Sequence, residues 1–495
     1  MSGQLTAPAA SEPVRIGDGR RRGFATLLAV DLWERFSFYG MAAILVLYLT
    51  ASEARGGMGM APQTATALFA GYMALSFLAG MPGGWLADRV LGAHRAVLLG
   101  GTLIACGHAA LAARSPTALY GGLLLIVAGT GLVKPAMAAM VAALSGEGEG
   151  RREAAFSLFY LCIQVSALVA PVVTGLLAEK IAWHLGFAAA AAGMTVGLVV
   201  FALGLRRFGQ VGRRPVCPLT HDEAVRVLRR AGLIVTAAAV LLGLAAAAGV
   251  LGVNGVLACL GLGTVVLPFA YLRSLRPLRP RDQDTGEGAG RHSGLAGFTA
   301  LMAASSVFWM IFAQSGSVLG LFAQRHTDRH VFGFEIPAGW FQSLHPLFVL
   351  PAAPLFTRLC RRAGQRADAP VKFSGALVAA GLSFLLMAAA ALLAERGPVG
   401  PGWLLPVHLL YACGEISLAP AGLALAASVA PPGHTSRFLA VNGLFGAAGI
   451  VIGGQLFRLT AVLPLPLYFL LLGGTALGTG AVVGLGAGRL RRLLP

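Results

Sequence analysis

The chain reads as an all-α membrane protein of fourteen transmembrane helices, in two six-helix bundles with two extra helices between them. Three observations predict this. Hydrophobic residues make up 57% of the 495 positions and charged residues 12%, with mean hydropathy +0.75. That leaves too little charge for the surface of a soluble domain. Apolar windows of the roughly 20 residues needed to cross a bilayer recur along the whole chain. Finally, arginines gather in short links between those windows, at Arg20–Arg22, Arg206–Arg207, Arg213–Arg214, Arg361–Arg362 and Arg491–Arg492. Basic links on alternate sides are the positive-inside pattern.

Taken in order, the first six windows are 24–50, 66–88, 96–113, 118–144, 153–178 and 185–205. A pair at 223–248 and 252–274 carries no acid, His or Lys in its apolar parts and reads as a spacer. The polar stretch Leu275–His292 reads as a linker. The last six windows are 295–323, 341–359, 373–394, 402–429, 438–458 and 464–488. This predicts an N-terminal bundle over 1–210, the extra pair and linker over 211–292, and a C-terminal bundle over 293–495. Seven plus seven helices without a spacer is the alternative. The even count puts both termini on one side, and the charge asymmetry makes that side the cytoplasm. No short apolar core with a cleavage site follows the polar, basic first 22 residues, so no cleaved signal peptide is expected. The scarcity of lysine (Lys134, Lys180 and Lys372 alone) with abundant Ala and Gly suggests a GC-rich bacterial source, and hence a bacterial cell membrane.

The net charge of +18 does not indicate nucleic-acid binding, because the cations alternate between links instead of forming one face. Six scattered cysteines form no CxxC or metal spacing, so neither a disulfide framework nor a metal site is expected. No GxSxG, HExxH or paired catalytic carboxylates appear, which argues against an enzyme, and no cofactor is expected.

Chemistry concentrates on the few ionisable residues at membrane depth. Asp31, Glu34 and Arg35 sit inside the first span. Their i+3 and i+4 spacing puts all three on one helix face, and each charge there costs about 2.5–3.5 kcal/mol on insertion scales. Lys134 lies in Gly129-Thr-Gly-Leu-Val-Lys-Pro135, where the proline can free a backbone carbonyl. Glu415 lies in the second bundle. Three acids against Arg35 and Lys134 leave one negative charge in excess, which a proton or a substrate ammonium would neutralise. His108 and His408 are expected to pack rather than relay protons. In Gly83-Gly-Trp-Leu-Ala-Asp-Arg-Val-Leu-Gly-Ala-His-Arg95, the small residues allow close helix approach and Asp88 is expected to pair with Arg89 and Arg95.

That last stretch resembles the loop motif of the major facilitator superfamily. The chain as a whole resembles the superfamily's proton-dependent oligopeptide transporters (POT). The resemblance rests on Glu34-Arg-Phe-Ser-Phe-Tyr-Gly-Met41, Gly129–Pro135, Phe156-Ser-Leu-Phe-Tyr160 with Pro171-Val-Val-Thr-Gly175, and Trp183-His-Leu-Gly-Phe187. In the second half it rests on Trp340-Phe-Gln-Ser-Leu-His-Pro346 and Gly414-Glu415 with Pro420. It implies a pocket between bundles that grips a short peptide by its charged ends. Arg35 and Lys134 would attract the carboxylate, Glu415 the ammonium, and Asp31 and Glu34 would exchange the proton. Tyr39 would line the pocket.

Several positions depart from the family pattern. Asp31 replaces a usual Glu. Ala42 and Ala313 replace an Arg and a Glu expected to pair across the bundles. Gln164 and His345 replace usual Asn residues, Phe77 a Tyr and Asn442 a Trp, while Gln314 is retained. The expected function is a proton-coupled symporter of di- and tripeptides or peptide-like compounds, acting as a monomer in lipid. The alternative is a transporter, in either the import or the export direction, of a non-standard peptidic natural product or other organic anion with altered proton coupling.

Overall fold

The computed structural model describes residues 18–145, 149–215, 217–220, 252–275, 288–363, 368–431 and 434–494, with isolated positions between 222 and 249. In the first half run α1 (Asp18–Thr50), α2 (Pro62–Leu78), α3 (Gly80–Leu86), α4 (Ala93–Leu111), α5 (Pro116–Ser145), α6 (Glu149–Lys180) and α7 (Trp183–Gly204). An extra helix α8 (Val253–Leu275) follows. The second half holds α9 (Gly288–Phe312), α10 (Val318–His326), α11 (Leu344–Ala363), α12 (Ala369–Ala394), α13 (Leu404–Val429), α14 (Thr435–Leu456), α15 (Leu465–Leu485) and α16 (Ala487–Leu493).

Eleven helices among the described residues are long and apolar enough to span a membrane. α4, which carries His94, Arg95 and His108, and α11, with internal prolines and a basic end, are less apolar but run among them. The predicted span 223–248 lies largely outside the described residues, as does most of the predicted linker; its last residues, 288–292, open α9.

Two expectations need correction. The window 295–323 is not one helix. α9 ends at Phe312, a 3-10 turn covers Ala313–Gly316, and Ser317 (φ −131°, ψ −80°) breaks the line before α10. Gly316 sits against the Phe69 ring, where a Cβ would come within 2.8 Å. Asp88 also pairs with neither Arg89 nor Arg95. Residues Ala87–Leu91 form a π-helical turn closed by Gly92 at φ +74°, and Arg89 reaches Glu223 instead, at 2.8 Å. The turn's extra residue per cycle redirects the side chains.

The small residues of the same stretch behave as expected. A Cβ on Gly83 would lie 2.0 Å from the Gly131 carbonyl oxygen, so α3 and α5 touch backbone to backbone. Pro135 has no N–H for that carbonyl, four residues back, which is how the oxygen comes to face α3.

The halves meet toward the end of the molecule opposite the termini. α2 packs on α14 through Ala74, Ala447 and Val451, and α8 lies over the junction, with Gln455 donating to the Leu257 carbonyl at 3.1 Å. α6 meets the segment before α11: Trp340 donates to Val172 O (2.9 Å) and Ser343 to Leu168 O (2.7 Å). Glu179 completes the seam. It accepts from the Ala338 and Gly339 amides at 2.9 and 2.8 Å and pairs with Arg329 at 3.3 Å. Arg329 in turn holds Glu335 (2.6 Å), which also takes Lys180 (2.7 Å). A two-strand hairpin, β1 (His330–Val331) with β2 (Phe334–Glu335), carries part of this latch.

Candidate functional site: two charged clusters on facing halves

On α1 the i, i+3, i+4 spacing does what the sequence predicts. Arg35 Nε lies 3.4 Å from Asp31 Oδ1 and 3.2 Å from Glu34 Oε2, with both acids 3% exposed. The guanidinium is thus shared between two carboxylates of its own helix. Lys134 on α5 stands apart. Among the described residues it has no carboxylate within hydrogen-bonding distance, and its ammonium sits 4.8 Å from the Phe38 ring centre and 5.3 Å from that of Phe77. Two ring faces offer a cation partial compensation without neutralising it. Lys134 stays within electrostatic reach of Asp31, Glu34 and Arg35.

In the second half, Glu415 on α13 meets His345 on α11, with Oε2 and Nε2 2.9 Å apart. The Phe312 ring, at the end of α9, stands edge-on to His345 at 5.3 Å. Tyr39 connects the halves electrostatically. It faces Arg35, Glu34 and Asp31 along α1 and lies within interaction range of Glu415. Tyr160, on α6 one turn before Gln164, contacts that amide and also feels Glu415 and Tyr39.

Not every expected residue converges as closely. Gln314 is 1% exposed, and its amide is committed within its own half: Tyr468 donates to Oε1 at 2.7 Å, and Nε2 reaches Met310 O at 3.4 Å. Asn442, half-buried on α14, lies against Gly422 of α13. His408 Nε2 donates to Phe341 O, 2.8 Å away, whereas His108 is wholly buried with neither ring nitrogen hydrogen-bonded among the described residues. Phe38 and Tyr160 stand in the quoted motifs without a role of their own, each one helical turn from a residue that had one (Arg35 and Gln164). Phe312 carries no such signal in the sequence. Among the described residues no cluster of His, Cys, Asp or Glu could hold a metal ion.

The POT-family profile matches residues 94–228 and 291–469. The chain belongs to the POT family. As a member it is a membrane transporter with the major facilitator fold, not an enzyme. It is 36% identical over 468 residues to the uncharacterised transporter YclF of Bacillus subtilis (strain 168), covering 94% of this chain and 93% of that one. It is 32% identical over 451 residues to the di-/tripeptide transporter of Lactococcus lactis subsp. cremoris, covering 88% and 89%. A crystal structure of a POT peptide transporter in complex with sulfate superposes with TM-score 0.90 at 36% identity over 96% of both chains. A POT-family transporter in complex with 5-aminolevulinic acid gives 0.87 at 29% identity, over 95% and 96%.

Proposed function

We propose that the chain is a proton-coupled symporter that carries di- and tripeptides, or peptide-like compounds, across a bacterial cytoplasmic membrane by alternating access. It works as a monomer with both termini in the cytoplasm. Residues 1–210 and 293–495 are the two moving bundles and 211–292 the extra pair with its linker. One observation carries the reading: a cation pair, Arg35 and Lys134, on one half and a carboxylate, Glu415, on the other. A zwitterion with opposite charges at its two ends complements this arrangement of charge.

The coupling follows from how Arg35 is held. With Asp31 and Glu34 both ionised, the guanidinium's charge is already matched and a third carboxylate is unwelcome. Protonating either acid releases it, so the substrate's carboxylate can settle on Arg35 and on Lys134. Loss of that proton restores the internal pair and expels the carboxylate. The cycle thus moves a proton with each peptide. Glu415 takes the ammonium, and Tyr39, Phe77, Gln164, Gln314, His345 and Asn442 line or support the pocket.

The relatives named as di-/tripeptide transporters support this reading. A thermal-shift panel tests it. Several di- and tripeptides should raise the melting temperature of the purified protein, whereas no shift with any of them contradicts peptide binding. The His345 contact at Glu415 favours a second reading, transport of a peptidic natural product or organic anion; stabilisation by anionic ligands alone would support that one.

A further inference from the structure

Glu415 already has a partner inside the protein. His345 Nε2 lies 2.9 Å from its carboxylate, and the two side chains are only 13% and 15% exposed. One carboxylate at that depth balances one cation. If the imidazole carries a proton, an arriving ammonium meets a site already neutralised and is repelled by the imidazolium beside it. If the imidazole is neutral, it brings no charge of its own and leaves the carboxylate's charge for the ligand.

The surroundings give the proton few other hosts. From α13 come Glu415 and His408, the latter held on Phe341 O. From α9 comes the Phe312 ring. Tyr160 of α6 and Tyr39 of α1 lie within range of Glu415, and the 338–343 turn supplies no titratable group.

We propose that His345 is a specificity-determining residue: its imidazolium competes with the substrate's ammonium for Glu415. A ligand with a free amino end binds by displacing one proton from His345 to water, and a ligand with a blocked amino end does not. The inference rests on Glu415 being the ammonium site. It makes acid, which favours the carboxylate end through Asp31 and Glu34, unfavourable at the amino end, so ligands with a neutral amino end are preferred at low pH.

The test compares alanylalanine with N-acetyl-alanylalanine, by calorimetry on the full-length protein at pH 5.5 and 7.5, in wild type, His345→Asn and His345→Gln. Taking the ratio of the two dissociation constants cancels effects common to the carboxylate end. In wild type the ratio of free to acetylated should rise about tenfold on acidification, within the hundredfold ceiling one competing proton sets over two pH units. Both amide variants should flatten it. Proton uptake at the Asp31–Glu34 centre is common to both ligands, so binding in two buffers of different ionisation enthalpy should show the free peptide releasing up to one proton more than the acetylated one. A ratio that does not change with pH in wild type, or that changes equally in both variants, overturns the role of His345 while leaving peptide binding intact. Failure of both ligands to bind any of the three folded proteins overturns the peptide reading and this inference with it.

Discussion

Replacing Glu179 with Ala should open the seam between the halves. The carboxylate, 8% exposed, accepts two backbone amides at 2.8–2.9 Å and pairs with Arg329 at 3.3 Å. Hydrogen bonds to a charged group contribute about 1.5–3 kcal/mol each, and breaking a buried pair by removing one partner costs about 3–5 kcal/mol. Residual ties limit the loss: Arg329 keeps Glu335, and Trp340 and Ser343 keep their carbonyls on α6. A net loss of about 3 kcal/mol corresponds to a shift of roughly 150-fold between states closed and open at this end. Spin labels at Ile181 and Phe332, both exposed on either side of the latch, read that shift as a move from a short to a long distance distribution. The melting temperature should fall less than the distribution moves, because each half keeps its own core. An unchanged distribution in folded Glu179→Ala protein refutes the latch.

Two further outcomes follow from the same geometry. Glu335 lies outside the spans, where the Lys180 ammonium, and then Arg329, hold its carboxyl below the ordinary glutamate range. A depressed native pKa stabilises above the unfolded value and is lost as pH falls through the native one. Wild type should therefore melt above Glu335→Gln at pH 7, and the gap should close as pH falls below the ordinary glutamate range; a gap that does not change with pH argues against the pairing. Gly83→Val, by contrast, drives a side chain into the Gly131 carbonyl, 2.0 Å from where even a Cβ would sit. Overpacking of this kind costs about 1–3 kcal/mol, visible as a lowered melting temperature; a wild-type melt means α3 and α5 do not touch there.

Much of the fold was legible because lipid imposes length and apolarity on each span, and those are properties of local sequence. The Asp31–Glu34–Arg35 cluster was legible for a similar reason, since helix geometry fixes contacts three and four residues apart. The break at Ala313–Ser317 was not: hydropathy reports depth in the membrane, not backbone continuity, and the feature that accompanies it, Phe69 against Gly316, comes from another helix. The same limit hid His345 against Glu415 and Glu179 against Arg329, separated by 70 and 150 residues in the chain. His345 and Glu415 could be named as unusual where they stand, while Glu179 and Arg329 carried no such signal, and only tertiary packing makes either pair. Asp88 shows the converse error, because an acid beside two arginines reads as paired until a π-helical turn sends Arg89 to Glu223.

The central claim is that peptide and proton move together through the Arg35–Lys134 centre. Its most direct test is dipeptide accumulation in liposomes holding the purified protein, with and without an inward proton gradient, for wild type and Lys134→Ala. Wild type should concentrate the peptide only when the gradient is present, and Lys134→Ala should not concentrate it at all. Accumulation that ignores the gradient, or a Lys134→Ala protein that accumulates like wild type, contradicts the account.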